Sequence, residues 1–286
     1  MRTILLLALI ACGSKATISH PLVGVSQSSI TTAWGSRRTI VYAPSNPEGL
    51  PLLVALHGCT QTAEEFLAAT RLSSWAERER FVLLAVEQSV FANPSRCWNW
   101  FLPVNQTGLT GEPSIIVAAI ERTRRDLALG DDTFVLGLSA GGAMAGILSV
   151  CRPDLIDAAL LHSAPKVPVL QACGGVSERQ VMLLQGTADP VVPSFAADLW
   201  WQHYYSMLDD ADDGSFNQSV ATTLATQTTN QRDVTVRRAA TLEHWSIEGL
   251  GHAWSGGDDR YDYADALGPD ATALGWAFFS RQASIH

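Results

Sequence analysis

The chain has 286 residues, of which 47% are hydrophobic, and a formal net charge of −9. That length and apolar content suffice for one sizeable core, and no internal repeat divides it. The acidic balance excludes a nucleic-acid-binding surface, which needs a basic patch, and it serves solubility rather than the attraction of a neutral substrate.

Residues 1–16 read as a targeting segment. Arg2 is a minimal charged region and Ile4 to Ile10 a short apolar core, too short to span a bilayer as a mature helix. Leu9-Ile10-Ala11-Cys12 resembles a bacterial lipobox, which implies cleavage before Cys12, lipidation of that cysteine and membrane attachment. The alternative is an ordinary signal peptide cut near Ala16. Both readings take the chain out of the cytoplasm and leave residues 17–286 as a single catalytic domain, expected to act as a monomer.

Beyond that segment, a strand or hairpin is expected near Arg37 to Tyr42, then an apolar strand, Leu52 to Leu56, that stops at His57-Gly58-Cys59. Helical sequence covers Ala63 to Arg80, followed by a strand at Phe81 to Val86. Gln88 to Pro113, rich in Asn, Pro, Gly and Trp, is a long loop of the kind that usually carries function in a compact domain. A helix is expected over Ser114 to Leu127, a strand over Val135 to Leu138 and a helix over Ala143 to Val150. Strands follow at Ala158 to His162 and Val181 to Gln185, then a helix from Phe195 to Met207. The acidic run Asp209, Asp210, Asp212, Asp213 fails the calcium-loop template, because Ala211 sits where a ligand is required, and reads as a solvated loop. Ser215 to Asn230 reads as a surface excursion, Asp233 to Arg237 and His244 to Glu248 as strands, and Asp270 to Arg281 as a closing helix. Alternating strands and helices with continuous apolar strands indicate an α/β fold: a largely parallel central sheet covered by helices on both faces.

The chemistry concentrates around Gly137-Leu138-Ser139-Ala140-Gly141, a serine between glycines at the end of an apolar strand. This is the signature of a nucleophile elbow, a tight strand-to-helix turn that lifts the hydroxyl out of the fold. The three fixed positions alone arise by chance in about one chain in ten of this length, so the context has to carry the inference. In an α/β-hydrolase an acid and then a histidine should follow the serine. Val181 to Gly186 reads as a buried strand whose turn carries Asp189, and Trp245 to Trp254 as a strand entering a glycine-flanked loop that carries His252. His203 falls in a helix, His244 in or beside a strand, His286 at the end of the chain and His162 at the end of an apolar strand, all positions that suit structural roles. The Cys59 and Ala140 backbone N–H groups are the expected oxyanion-hole donors, with His57 ordering the first of those loops. Trp98, Trp100 and Trp254 are taken as substrate walls, because indole pairs a large apolar face with a polar edge.

The stretches Leu56 to Gln61, Arg96 to Phe101, Gly137 to Gly142 and Gly249 to Gly257 together resemble the polyhydroxybutyrate depolymerase family of esterases, relatives of feruloyl and acetylxylan esterases. The resemblance runs from about Thr39 to Phe279. It implies an α/β-hydrolase fold and a secreted carboxylic ester hydrolase with Ser139, Asp189 and His252 at the triad positions. The substrate is then a polyester, an oligoester or a plant-wall ester, and no cofactor or metal is needed. The chain is expected to lack the linker and polymer-binding domain of many secreted depolymerases, which argues against efficient attack on insoluble granules and leaves soluble oligoesters or other small esters open. Feruloyl or acetylxylan ester hydrolysis is the alternative activity, and a non-catalytic surface lipoprotein on the same scaffold the remote one.

With Cys12 set aside, Cys59, Cys97, Cys151 and Cys173 remain, an even number suited to an oxidising compartment, and three pairings are possible. The pairing expected is Cys59–Cys97, tying the oxyanion loop to the tryptophan loop, with Cys151–Cys173 closing a loop after the elbow helix.

Overall fold

The computed structural model describes residues 24–167, 173, 180–215 and 217–283; the targeting segment and Cys12 lie outside them. One ten-stranded sheet organises the molecule. In chain order its strands are β1 (Gly24–Thr32), β2 (Gly35–Ala43), β3 (Leu52–Leu56), β4 (Val82–Glu87), β5 (Thr133–Leu138), β6 (Ala158–His162), β7 (Gln180–Gly186), β8 (Thr223–Thr229), β9 (Arg232–Ala239) and β10 (Leu242–Ile247). They are arranged β1-β2-β4-β3-β5-β6-β7-β10-β9-β8. The six strands from β4 to β10 in that order run parallel. Antiparallel strands flank them on both sides. The expected largely parallel sheet is therefore found, and the ends of β5, β7 and β10 share one edge.

The central strands β3, β5 and β6 are buried along their whole length because helices cover both faces. Alternate residues of β3 serve two cores. Leu52, Val54 and Leu56 meet α3 (Gly111–Leu127), α4 (Ala140–Cys151) and α5 (Phe195–Asp213) through Ile116, Met144 and Trp200. Leu53 and Ala55 point into the opposite cluster, with Phe66 of α1 (Ala63–Thr70), Ala76 of α2 (Leu72–Glu79) and Phe279 of α6 (Ala271–Ala283). A small parallel pair, β11 (Trp254–Ser255) with β12 (Ala264–Asp265), closes the segment after β10. Among the described residues no helix is long and apolar enough to cross a membrane.

Four local expectations change. The helical stretch from Ala63 to Arg80 is two helices, because Arg71 between them is left-handed (φ 58°) and its guanidinium reaches the Gly256 carbonyl and Asp270. The 88–113 loop contains a 3-10 turn at Pro103–Asn105 and gives way to α3 at Gly111. The 215–230 excursion holds the edge strand β8, and β1, polar and half exposed, precedes the strand expected at Arg37. Asp209 is buried and orders the turn after α5, accepting hydrogen bonds from the backbone N–H groups of Asn217, Gln218 and Val220.

Both disulfides form as expected, Cys59–Cys97 and Cys151–Cys173. They are consistent with an extracytoplasmic, oxidising compartment.

Candidate active site

Ser139 is the single residue between β5 and α4. Its backbone (φ 56°, ψ −121°) lies outside the regions L-residues favour, and such strain costs about 1–3 kcal/mol unless neighbours hold it. The neighbours are visible. The Ser139 N–H donates to the His162 carbonyl at 2.9 Å, and its carbonyl accepts from Ala143 N–H at 3.0 Å, starting α4. A Cβ on Gly141 would stand 2.1 Å from the Leu56 carbonyl oxygen, and one on Gly137 2.3 Å from the Gly141 carbonyl carbon. Glycine at both positions lets the first turn of α4 press against the end of β3, which brings the Ser139 turn beside the loop that follows β3.

Asp189, the expected acid, follows β7. Asp189 Oδ1 accepts from Val191 N–H at 2.9 Å and Val192 N–H at 2.8 Å, while Oδ2 accepts from His252 Nδ1 at 2.8 Å and Gln185 Nε2 at 3.2 Å. Burial opposes ionisation of this carboxyl, but the hydrogen bonds from His252 and the two amides prevail and hold its pKa below the ordinary aspartate value. The acid loop is also stitched to the loop after β10, where Thr187 N–H donates to Ile247 O and Ala188 N–H to Leu250 O. Because Nδ1 of His252 carries the proton given to Asp189, its Nε2 is the nitrogen that can accept one. The Ser139 hydroxyl and His252 are not hydrogen-bonded to each other; bonds of this kind often tighten only around substrate.

Close to His252 lies His162, fully buried at the end of β6. Its Nε2 accepts from Ser255 N–H at 3.1 Å, Nδ1 bonds the Ser163 hydroxyl at 3.1 Å, and its ring lies 5.1 Å from that of Trp254. Burial above all, then the proximity of His252, pushes its pKa down to about 3, so this imidazole is neutral. The structural role expected for it is thus specific: it anchors the segment just after His252.

The loop after β3 is held from three directions. Gln88 N–H donates to His57 Nε2 at 3.0 Å, His57 Nδ1 donates to Gly58 O at 2.7 Å, and Gly58 N–H is taken up by Gln61 Oε1 at 2.9 Å. His57 is kept neutral by burial and orders the loop. A Cβ on Gly58 would lie 3.5 Å from Ser139 Cβ, so the loop sits directly over the serine. The N–H groups of Cys59 and Ala140 find no backbone acceptor among the described residues.

The three tryptophans divide differently from the expectation. Trp98 is fully buried against His57, with ring centroids 5.9 Å apart. Trp254 is also buried and donates from Nε1 to Thr272 Oγ1 at 3.1 Å. Neither offers a surface to substrate, so both hold loops, and only Trp100, half-buried against Phe101, keeps an accessible face. A residue not singled out in the sequence is Tyr263. Its ring stands edge-on to His252 at 6.3 Å, and its hydroxyl bonds that of Thr60 at 3.1 Å, next to Cys59. The available signal was the Tyr261-Asp262-Tyr263 triplet, an aromatic pair in a polar loop soon after His252. Glu112 was also unforeseen. Buried in the first turn of α3, it accepts from Arg37, Gln88 and Asn99 and so ties the tryptophan loop to the strand that supports His57.

A parallel sheet with a strained serine between strand and helix and a His–Asp pair on the same strand edge defines an α/β-hydrolase-type fold. Solved structures agree on the fold. An acetyl xylan esterase from Aspergillus awamori superposes with a TM-score of 0.65 at 16% identity, over 89% of this chain and 99% of that one. Residues 39–238 match the family model for esterase PHB depolymerases, and the chain belongs to that family. It is 32% identical over 130 residues to poly(3-hydroxyalkanoate) depolymerase C of Paucimonas lemoignei, covering 44% of this chain and 30% of that protein. It is likewise 32% identical over 149 residues to feruloyl esterase B of Neurospora crassa, covering 50% of this chain and 49% of that protein. The matches thus span 30% and 49% of those relatives' own lengths.

Proposed function

We propose that this chain is a serine carboxylic ester hydrolase working through an acyl-enzyme on Ser139. The observation that carries the reading is the strained Ser139 turn on the same sheet edge as the 2.8 Å His252–Asp189 hydrogen bond. His252 Nε2 takes the serine proton as Oγ attacks the ester carbonyl, and Asp189 stabilises the imidazolium that forms. The Cys59 and Ala140 amides hold the oxyanion. His252 then protonates the departing alcohol and activates the water that releases the acid.

For the substrate, hydroxyalkanoate oligoesters and polyester come first, in keeping with the family and with exposed apolar side chains on the tryptophan loop (Phe91, Phe101, Leu109) and after Asp189 (Val191, Phe195). Feruloyl or acetyl esters of plant-wall glycans are the second reading, favoured by a polar cavity beside Tyr263. Export from the cytoplasm, with lipid attachment through Cys12, and a monomeric state complete the proposal.

A fluorophosphonate probe tests the catalytic reading. The folded protein is expected to be labelled and Ser139→Ala not; absence of labelling in the folded unmodified protein refutes it. Hydrolysis of 3-hydroxybutyrate oligomers, feruloyl esters and acetylated xylan, measured side by side, then ranks the substrates.

A further inference from the structure

The proposed base and one proposed oxyanion donor stand on strands that are not neighbours. His252 follows β10 and Cys59 follows β3, with β5, β6 and β7 between them in the sheet. Both must meet the same ester group, and a shift of about 1 Å between such groups can cost about a hundredfold in rate. Tyr263 spans the gap. Its backbone carbonyl accepts from Trp254 N–H at 2.8 Å, which fixes it beside the His252 segment. From there its ring stands nearly perpendicular to the imidazole, with centroids 6.3 Å apart, and its hydroxyl reaches that of Thr60 at 3.1 Å.

The hydrogen bonds around Thr60 have a direction. The Thr60 hydroxyl also lies 2.6 Å from the Cys59 carbonyl oxygen. A carbonyl can only accept, so the single Thr60 proton goes to Cys59, and the Tyr263 hydroxyl donates to Thr60. Thr60 N–H donates to Ser95 O at 2.6 Å, and Gly58 O accepts from His57 Nδ1 at 2.7 Å. A trans peptide points its C=O and N–H opposite ways, so the His57 bond turns Cys59 N–H away from His57, and Tyr263 secures the far side of the same residue. At the other end, the Nδ1 bond to Asp189 fixes His252 at one atom, and the Tyr263 ring limits how the imidazole swings about it. Thr60 (φ 66°) and Tyr263 (φ 60°) both hold left-handed backbones, a region that β-branched and bulky residues avoid. Both lie on the rim, Thr60 exposed and Tyr263 40% exposed, so burial does not account for these conformations; backbone strain of this kind gathers at functional sites.

We propose that Tyr263 is a positioning residue for ester hydrolysis: its ring holds the His252 imidazole and its hydroxyl, through Thr60, holds the Cys59 amide, so that base and oxyanion donor keep one relative geometry. The proposal rests on Ser139, His252 and Asp189 being the catalytic centre.

The test measures the hydrolysis of ethyl butyrate and p-nitrophenyl butyrate. Tyr263→Phe and Thr60→Val, each of which removes one end of the hydroxyl bridge, are expected to lower kcat on ethyl butyrate about tenfold with KM changed less than about twofold. The double variant should be no slower than either single one, because both remove the same bond. Tyr263→Leu, which loses the ring as well, should lose more kcat/KM on ethyl butyrate than on p-nitrophenyl butyrate, since ethanol needs a proton from His252 to depart and p-nitrophenolate does not. A purely structural tyrosine would instead lower the thermal unfolding temperature and leave kcat unchanged. Folded Tyr263→Phe and Thr60→Val with unchanged kcat, or losses that multiply in the double variant, overturn the bridge; equal losses on the two esters in Tyr263→Leu overturn the hold on the imidazole. Should Tyr263→Leu not fold, the two bridge variants decide. No hydrolysis of either ester by the folded unmodified protein would overturn the catalytic reading on which the proposal rests.

Discussion

His162→Gln isolates the contribution of one buried neutral imidazole. The fully buried His162 has a pKa of about 3 against an ordinary 6.5, so between those values the unfolded chain binds a proton that the native protein does not. Stability is fully present above pH 6.5 and is lost progressively as pH falls toward 3. At pH 5 the loss from this residue alone is about 2 kcal/mol, while at pH 7 it is close to zero. Glutamine can offer an oxygen to Ser255 N–H and a donor to Ser163, but it does not titrate. Urea unfolding at both pH values gives the measurement. His162→Gln is expected to be destabilised at pH 7 by the imperfect fit, with the gap to the unmodified protein narrowing by about 2 kcal/mol at pH 5. Parallel losses of stability in the two proteins between pH 7 and 5 would show that His162 is not held neutral, and the account of how the His252 segment is anchored would fail.

Asp189→Asn keeps the shape of the acid but cannot balance an imidazolium, and kcat should drop by about 10³–10⁴ with the fold intact, as circular dichroism and ester kinetics would show. Gly141→Ala forces a methyl to within 2.1 Å of the Leu56 carbonyl oxygen and should cost about 3 kcal/mol or more. Gly251→Ala, whose added Cβ meets nothing within 4 Å, should stay within about 1 kcal/mol, both read from thermal unfolding. Replacing Cys59 and Cys97 together by serine opens a link between residues 38 apart and should cost about 4 kcal/mol in chemical denaturation. It should also lower kcat more than it raises KM, because the Cys59 amide is proposed to contact the transition state.

Much of the sheet was legible because parallel strands buried on both faces must be apolar throughout. Leu52 to Leu56, Val135 to Leu138, Ala158 to His162 and Val181 to Gln185 carry that pattern between turn signals, and each is a central strand. Edge strands have no such constraint. β1 and β8 are polar and largely exposed, and only their pairing with β2 and β9 makes them strands. The break at Arg71 was hidden for a related reason, since the partners that hold its left-handed backbone, Gly256 and Asp270, are nearly 200 residues away. Trp98 and Trp254 show that composition reveals a large aromatic surface but not the direction in which it points.

The sequence by itself determined which groups are available for chemistry: a serine with a glycine two residues to either side, an acid at the end of a core strand and a histidine in a glycine-flanked loop, in that order along the chain. Local rules of sterics and periodicity suffice for that, because each operates within a few residues. Only the tertiary structure decided that His252 meets Asp189, that His162 rather than a nearer residue secures the segment after His252, and that Tyr263 folds back to Thr60 across the rim. Those contacts join segments 63, 93 and 203 residues apart. They arise because parallel strands deliver their ends to one edge, a property of the assembled sheet that no single stretch of the chain contains.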